Sequence, residues 1–150
     1  MIVRLADMER DALAIMDGAR DFVSRMDFTG WMPKTDEEFT AALSRMLAHE
    51  SMEIAVCENE GRIVGGIGMM YLPCDWNPSL LVAVEKFIWC ATDAPPHALL
   101  LLLRFVGKRM KHRGVAIPEF VELTSSPPGL EMVYRRMGLR PVQTVWMGVR

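Results

Sequence analysis

Two carboxylates stand in segments that are otherwise mostly apolar: Glu85 within Leu-Val-Ala-Val-Glu-Lys-Phe-Ile-Trp-Cys, and Glu122 within Phe-Val-Glu-Leu-Thr. An acid in such a run calls for an explanation, and the chemical one is general-base work toward an amine, which needs a carboxylate or a histidine within reach of the nitrogen. Side chains alternate along a strand, so Glu85 and Lys86 face opposite ways, and a register change of one residue exchanges them. The structural alternative for Glu85 is an edge or solvent-facing acid paired with a neighbouring Lys or Arg. Other chemistries fail on spacing. His49, His97 and His112 fall on separate elements with no ligand three or four residues on, so no metal site is expected. Gly65-Gly66-Ile67-Gly68 has no helix after it to make a nucleotide loop. Ser125 and Ser126 precede prolines instead of sitting on a strand-to-helix elbow.

These candidates must be positioned by a chain of 150 residues, enough for one domain with one core. With 51% hydrophobic and 24% charged residues it is neither a disordered polyelectrolyte nor a low-complexity chain. Cys57, Cys74 and Cys90 are odd in number and contain no C-x-x-C pair, which encodes neither a disulfide framework nor a zinc site and fits the reducing cytoplasm. The apolar run from Ala98 to Leu103 ends at Arg104 and reads as a buried helix segment, far short of a membrane span. The opening MIVRLADMER carries acids where an export signal would not, so no export is expected. The net charge of −2 hides an asymmetry: residues 1–94 hold 8 Lys and Arg against 16 Asp and Glu, whereas residues 95–150 hold 9 against 3. Such a split suits an anionic ligand bound by the C-terminal half, or a solvated basic helix face.

Residues 2–5 form a short β-prone run. Asp7 and apolar residues at Ala12, Ile15 or Met16, Ala19, Phe22 or Val23 and Met26 then predict an amphipathic helix. Thr35-Asp36-Glu37-Glu38 reads as a capping box opening a second helix with Phe39, Leu43, Met46 and Leu47 on one face. Two extended runs joined by Asn59-Glu60-Gly61 predict a β-hairpin, and residues 80–92 a long further strand. Asp93-Ala94-Pro95-Pro96 opens a helix running to about His112, with Gly114 as its stop. A strand over 121–124, a short helix through Met137 ended by Gly138, and a strand over 142–149 complete the order β-α-α-β-β-β-α-β-α-β. That order predicts one mixed α/β domain over 1–150, a central sheet of about six strands flanked by about four helices.

The segment Val-Tyr-Arg-Arg-Met-Gly-Leu-Arg-Pro over 133–141 lies on the last short helix and turns into the final strand. It resembles the GNAT superfamily of acyl-coenzyme A dependent N-acetyltransferases, whose last helix reads as an apolar residue, Tyr, two residues, an apolar residue, Gly and Phe. Tyr134, Met137 and Gly138 occupy those positions, and Leu139 replaces the Phe. The hairpin IAVCENEGRIVGGIG is similar to the second and third strands of that family, and the element order agrees over essentially the whole chain.

The resemblance implies direct acetyl transfer from acetyl-CoA, as cosubstrate, to a primary amine, with an oxyanion met by backbone N–H groups and an acid protonating the departing thiolate. Tyr134 takes the acid role, which suits a phenol whose pKa of about 10 lies near that of a thiol; Glu85 is the candidate base. A bulge that splays the fourth strand from the fifth is implied at residues 88–93, where the pantetheine arm would pair like an added strand. Trp89, Cys90, Ala91, Thr92, His97 and Ala98 would then hold the coenzyme. The family's pyrophosphate loop is degenerate here: His97 stands near its first position, Leu100 and Leu102 near its glycines, Pro95 and Pro96 have no N–H, and Pro127 replaces a frequent Asn. Arg104, Lys108, Arg109, Lys111 and Arg113 read as a solvated face more than as phosphate ligands. Phe28 and Trp31 fall where the family has its acceptor wall.

The resemblance leaves the acceptor open among a small molecule, a peptide terminus and a modified nucleobase in a viral setting, and it allows a homodimer. Its rival is a catalytically inactive GNAT-like scaffold, an interaction or structural protein, for instance of a phage, for which the lost glycine loop and the 13 methionines speak. Direct nucleic-acid binding is disfavoured by a pI near 5.9 and by the lack of a basic stripe interleaved with aromatics.

Overall fold

The computed structural model describes residues 1–24, 35–122, 126 and 129–142. Among them the order is β1 (Ile2–Leu5), α1 (Met8–Ser24), α2 (Asp36–Leu47), β2 (Met52–Asn59), β3 (Arg62–Pro73), β4 (Leu81–Cys90), α3 (Ala98–Arg113), β5 (Ile117–Glu119) and α4 (Leu130–Arg136). The strands lie side by side in sequence order, antiparallel from β1 to β4, with β5 parallel to β4. The fold is the mixed α/β arrangement expected from sequence, with five strands among the described residues. The expected last strand, 142–149, lies almost wholly outside them.

Local chemistry explains most boundaries. Glu60 and Gly61 both take positive φ, 52° and 79°, which a two-residue hairpin turn requires. Thr35 caps α2 by accepting the Glu38 N–H at 3.2 Å. Gly114 ends α3 in the left-handed conformation at φ 71°. Three expectations are corrected. The helix expected from Asp93 begins at Ala98, because the preceding residues form tight turns in which Ala94 N–H bonds the Ala91 carbonyl and Ala98 N–H bonds that of Pro95. Its leucine run is amphipathic: Leu102 and Leu103 are buried while Leu100 is 40% exposed. The fifth strand is Ile117–Glu119 and not 121–124, so Val121 and Glu122 follow it as irregular backbone.

Helices α1 and α2 cover one face of the sheet and α3 and α4 the other. On the first face Ile15, Ala19, Leu43, Ile54, Val56, Phe87 and Trp89 form one core; on the second, Ala55, Cys57, Ile67, Met69, Ala83, Leu102, Val106 and Tyr134 belong to another. The glycines of β3 are packing platforms, not a nucleotide loop. A Cβ on Gly66 would lie 2.9 Å from the Trp89 indole nitrogen, and one on Gly68 would lie 2.6 Å from the Phe87 ring. Across the sandwich, Gly18 of α1 lets the helix backbone rest on the same indole, since its Cβ would fall 2.0 Å from Trp89 Cε2. Gly18→Ala is therefore expected to lower stability by about 1–3 kcal/mol through overpacking, despite alanine's better helix propensity. Urea unfolding checks this; an unchanged or raised midpoint would show that the indole moves aside freely.

Two ion clusters tie the layers together. Asp11, 2% exposed, receives Arg4 Nη1 at 2.6 Å and Arg4 Nη2 at 3.0 Å, with the Asp7 N–H at 2.8 Å, while Arg4 also binds Glu58 of β2. On the other face Arg109 and Arg113 of α3 both donate to Glu53 of β2, and the Arg113 guanidinium lies 4.5 Å from the centre of the Tyr71 ring. Desolvation pushes the Glu53 pKa up, but the hydrogen bonds from Arg109 and then Arg113 outweigh it and hold the carboxyl below its ordinary range. Burial, then the Glu53 charge, pushes Tyr71 up to about 12. Two of the five basic residues expected on a solvated face are thus committed to the fold.

Candidate active site

The site is built where β4 leaves β5. Glu85 pairs with Met69 and Phe87 with Gly68, so Lys86 is an extra residue on β4, a bulge two residues before the segment 88–93 where one was expected. The bulge reverses the alternation. Leu81, Ala83 and Glu85 point to the α3–α4 face, Lys86 is exposed, and beyond it Phe87 and Trp89 pack on the α1–α2 side while Ile88 and Cys90 join the α3 side. Without it, Glu85 would share a face with Phe87 and Trp89. Strand β5 pairs with β4 only from Val82 to Val84, so among the described residues β5 does not follow β4 past the bulge.

At that divergence Tyr134 of α4 reaches under the sheet. Its hydroxyl lies 3.1 Å from Glu85 Oε2 and 3.3 Å from the Val121 carbonyl oxygen, and its ring centroid is 5.3 Å from that of Phe120. Glu85 is 6% and Tyr134 7% exposed. Desolvation dominates both. It pushes Glu85 up to about 7, against hydrogen bonds from Tyr134 and the Val121 backbone that favour the carboxylate. It pushes Tyr134 well above the ordinary phenol range, with the charges of Glu85 and Glu122 adding to it.

The structure brings together Tyr134 and Glu85, 49 residues apart, and the charge of Glu122 acts on the same hydroxyl. The coenzyme candidates are more dispersed. Trp89 turns its indole into the opposite core, and its Nε1 has no hydrogen-bond partner among the described residues. Ala91 gives its N–H to the Val64 carbonyl at 2.9 Å; by strand alternation the backbone groups of Ile88 and Cys90 then project to the edge that β5 has left. Thr92 is exposed, His97 stands at the N-cap of α3 without a side-chain capping bond, and the Ala98 side chain is in the core. Phe28, Trp31 and Pro127 lie outside the described residues. The β4 edge thus fits a pantetheine arm pairing as an added strand. The α3 entrance does not fit the family's pyrophosphate loop: Pro95 and Pro96 have no N–H, Ala98 spends its own on Pro95, and Leu102 is in the core. Sequence reasoning missed the Val121 carbonyl, because a backbone acceptor in irregular chain leaves no side-chain signal.

Among solved structures, the chain is similar to a ribosomal-protein-alanine N-acetyltransferase from Brucella melitensis biovar Abortus 2308, with a TM-score of 0.73 at 13% identity over 98% of both chains. The chain has the GNAT fold. Other structures sharing this fold include a predicted acetyltransferase from Clostridium acetobutylicum with acetyl-CoA, with a TM-score of 0.70 at 17% identity over 99% of this chain and 95% of that one. An aminoglycoside acetyltransferase from an uncultured soil metagenomic sample, in complex with trehalose, has a TM-score of 0.71 at 14% identity over 99% and 96%. No family model matches the GNAT-fold chain, and no curated protein matches it in sequence. At such identities the likeness establishes the fold.

Proposed function

We propose that this GNAT-fold chain is an N-acyltransferase that carries an acetyl group from acetyl-CoA to a primary amine, with Tyr134 as the acid. The observation that carries the proposal is the Tyr134 hydroxyl held at the divergence of β4 and β5, below the edge where a pantetheine arm would lie. Acetyl-CoA would supply an acyl group already activated as a thioester. Backbone groups of Ile88 would orient its arm by strand addition, and the Tyr134 Oη–H would deliver a proton to the leaving sulfur. A structural neighbour with acetyl-CoA supports the cosubstrate, and neighbours named for alanine at a ribosomal protein and for aminoglycosides support an amine acceptor. Phe28 and Trp31 are proposed for the acceptor wall, and His97 for the coenzyme's phosphate end. The unbridged Cys57, Cys74 and Cys90 support a reducing, cytoplasmic setting, and no helix among the described residues is long and apolar enough to cross a membrane.

One observation favours the rival scaffold: the α3 entrance offers a pyrophosphate no glycine-lined amides. Screening a panel of small amines, peptide N-termini and nucleobase amines with acetyl-CoA, and following released thiol, separates the two. Acceptor-dependent release is expected. A protein that releases no thiol with any member of the panel is a scaffold.

A further inference from the structure

The Tyr134 hydroxyl has one proton and stands between two acceptors, the Glu85 carboxylate at 3.1 Å and the Val121 carbonyl at 3.3 Å. If Glu85 is ionised, Tyr134 and the Val121 backbone both bond it, but the charge sits on a side chain 6% exposed that water scarcely reaches, where an unpaired charge is costly. If Glu85 is protonated, Glu85 donates to Tyr134 Oη, Tyr134 donates to Val121, and no charge is buried. The surroundings agree. Glu85 is met by Tyr134 from α4, by the Val121 backbone after β5 and by Met69 across on β3, while α3 turns Leu102, Leu103, Val106 and Met110 to this face. The further charge acting on the Tyr134 hydroxyl is another acid, Glu122, and the α3 arginines 109 and 113 are bound to Glu53. No cation pairs with Glu85 among the described residues.

From this burial without a cation, and from the contact with Tyr134, we infer that Glu85 is held as a carboxylic acid and acts through Tyr134 as its proton reserve, not as a base toward the amine. The inference rests on the acyltransferase proposal. When the Tyr134 proton passes to the leaving sulfur and forms the thiol, the Glu85 proton passes to Tyr134 Oη, so the phenol never remains a phenolate and Glu85 is left as carboxylate. The proton lost by the acceptor nitrogen goes to water, and water reprotonates Glu85. Glu85 touches no reacting atom and is a positioning residue. The relay explains how a phenol whose own pKa burial has raised can still serve as an acid.

The test is a ¹³C NMR titration of the glutamate side-chain carboxyls in the intact protein, with Glu85 identified by its absence in Glu85→Gln. Glu85 is expected to titrate near pH 7, and in Tyr134→Phe, which removes a donor to the carboxylate, at higher pH. Titration in the ordinary carboxylate range, or a midpoint unmoved in Tyr134→Phe, would overturn the inference whether or not the protein is active. A stability series gives a second readout. Because the folded state binds this proton more tightly, the stability of the wild type relative to Glu85→Gln should fall as pH rises from about 4.5 to about 7 and level off above. A difference that is flat or rising there contradicts the inference. With an acceptor in hand, kcat of the wild type should decline above pH 7 and Glu85→Gln should lack that limb; an identical limb in both overturns the relay. A protein that titrates as expected yet transfers no acyl group would refute the transferase proposal, and the relay with it, while leaving the protonated cluster standing.

Discussion

Tyr134→Phe is expected to lower kcat by about 100- to 10,000-fold, the usual loss when a positioned general acid is removed, while leaving the dissociation constant for acetyl-CoA within a few-fold. The separation follows from geometry. The hydroxyl lies by the stretch of β4 that β5 leaves unpaired among the described residues and bonds to Glu85 and Val121, so its removal takes a proton from the leaving sulfur without touching the backbone groups that would orient the arm. The phenyl ring remains, with its contact to Phe120. Loss of the hydrogen bond to a buried carboxyl costs about 1–3 kcal/mol of stability, so the comparison needs protein shown to be folded under the assay conditions. Equal turnover in the two proteins would remove Tyr134 from the chemistry.

The largest effect on stability is expected from Asp11→Ala, about 3–5 kcal/mol. Asp11 is 2% exposed and ties its helix α1 to Arg4 of β1 through a bidentate pair, to the residue that leads into α1 through the Asp7 N–H, and to β2 indirectly, because Arg4 also holds Glu58. Truncation leaves the Arg4 guanidinium with Glu58 and the Leu5 carbonyl and the Asp7 N–H without its acceptor, at β1, which among the described residues is a four-residue strand at the sheet edge paired with β2 alone. Glu58→Ala should cost much less, since Glu58 is more exposed and Asp11 keeps both Arg4 contacts. Denaturant unfolding of both variants checks the ranking. Similar losses would mean that the cluster acts as a surface network instead of a buried pair.

Much of the fold was legible in the residues. Capping at Thr35, the Glu60-Gly61 turn and the Gly114 stop are local, and each residue type there has a physical reason to act where it does. What escaped was long-range. Nothing in Val-Glu-Lys-Phe announces a bulge at Lys86, yet that single extra residue decides that Glu85 faces Tyr134 while Trp89 faces Gly18. The Arg109 and Arg113 pairing with Glu53 links residues 56 and 60 apart, beyond any helical spacing. Glu85 and Tyr134 were each visible as chemically unusual; that they share one proton network depends on the bulge and on where β5 stops.

The most direct test is calorimetric titration of acetyl-CoA, and of coenzyme A alone, into the purified protein. One-to-one binding on the order of micromolar is predicted, carried by the β4 edge beyond its pairing with β5 and with little help from the α3 entrance. Absence of heat at several temperatures, together with no thermal shift at millimolar ligand, would contradict the transferase proposal and direct the search to a protein partner.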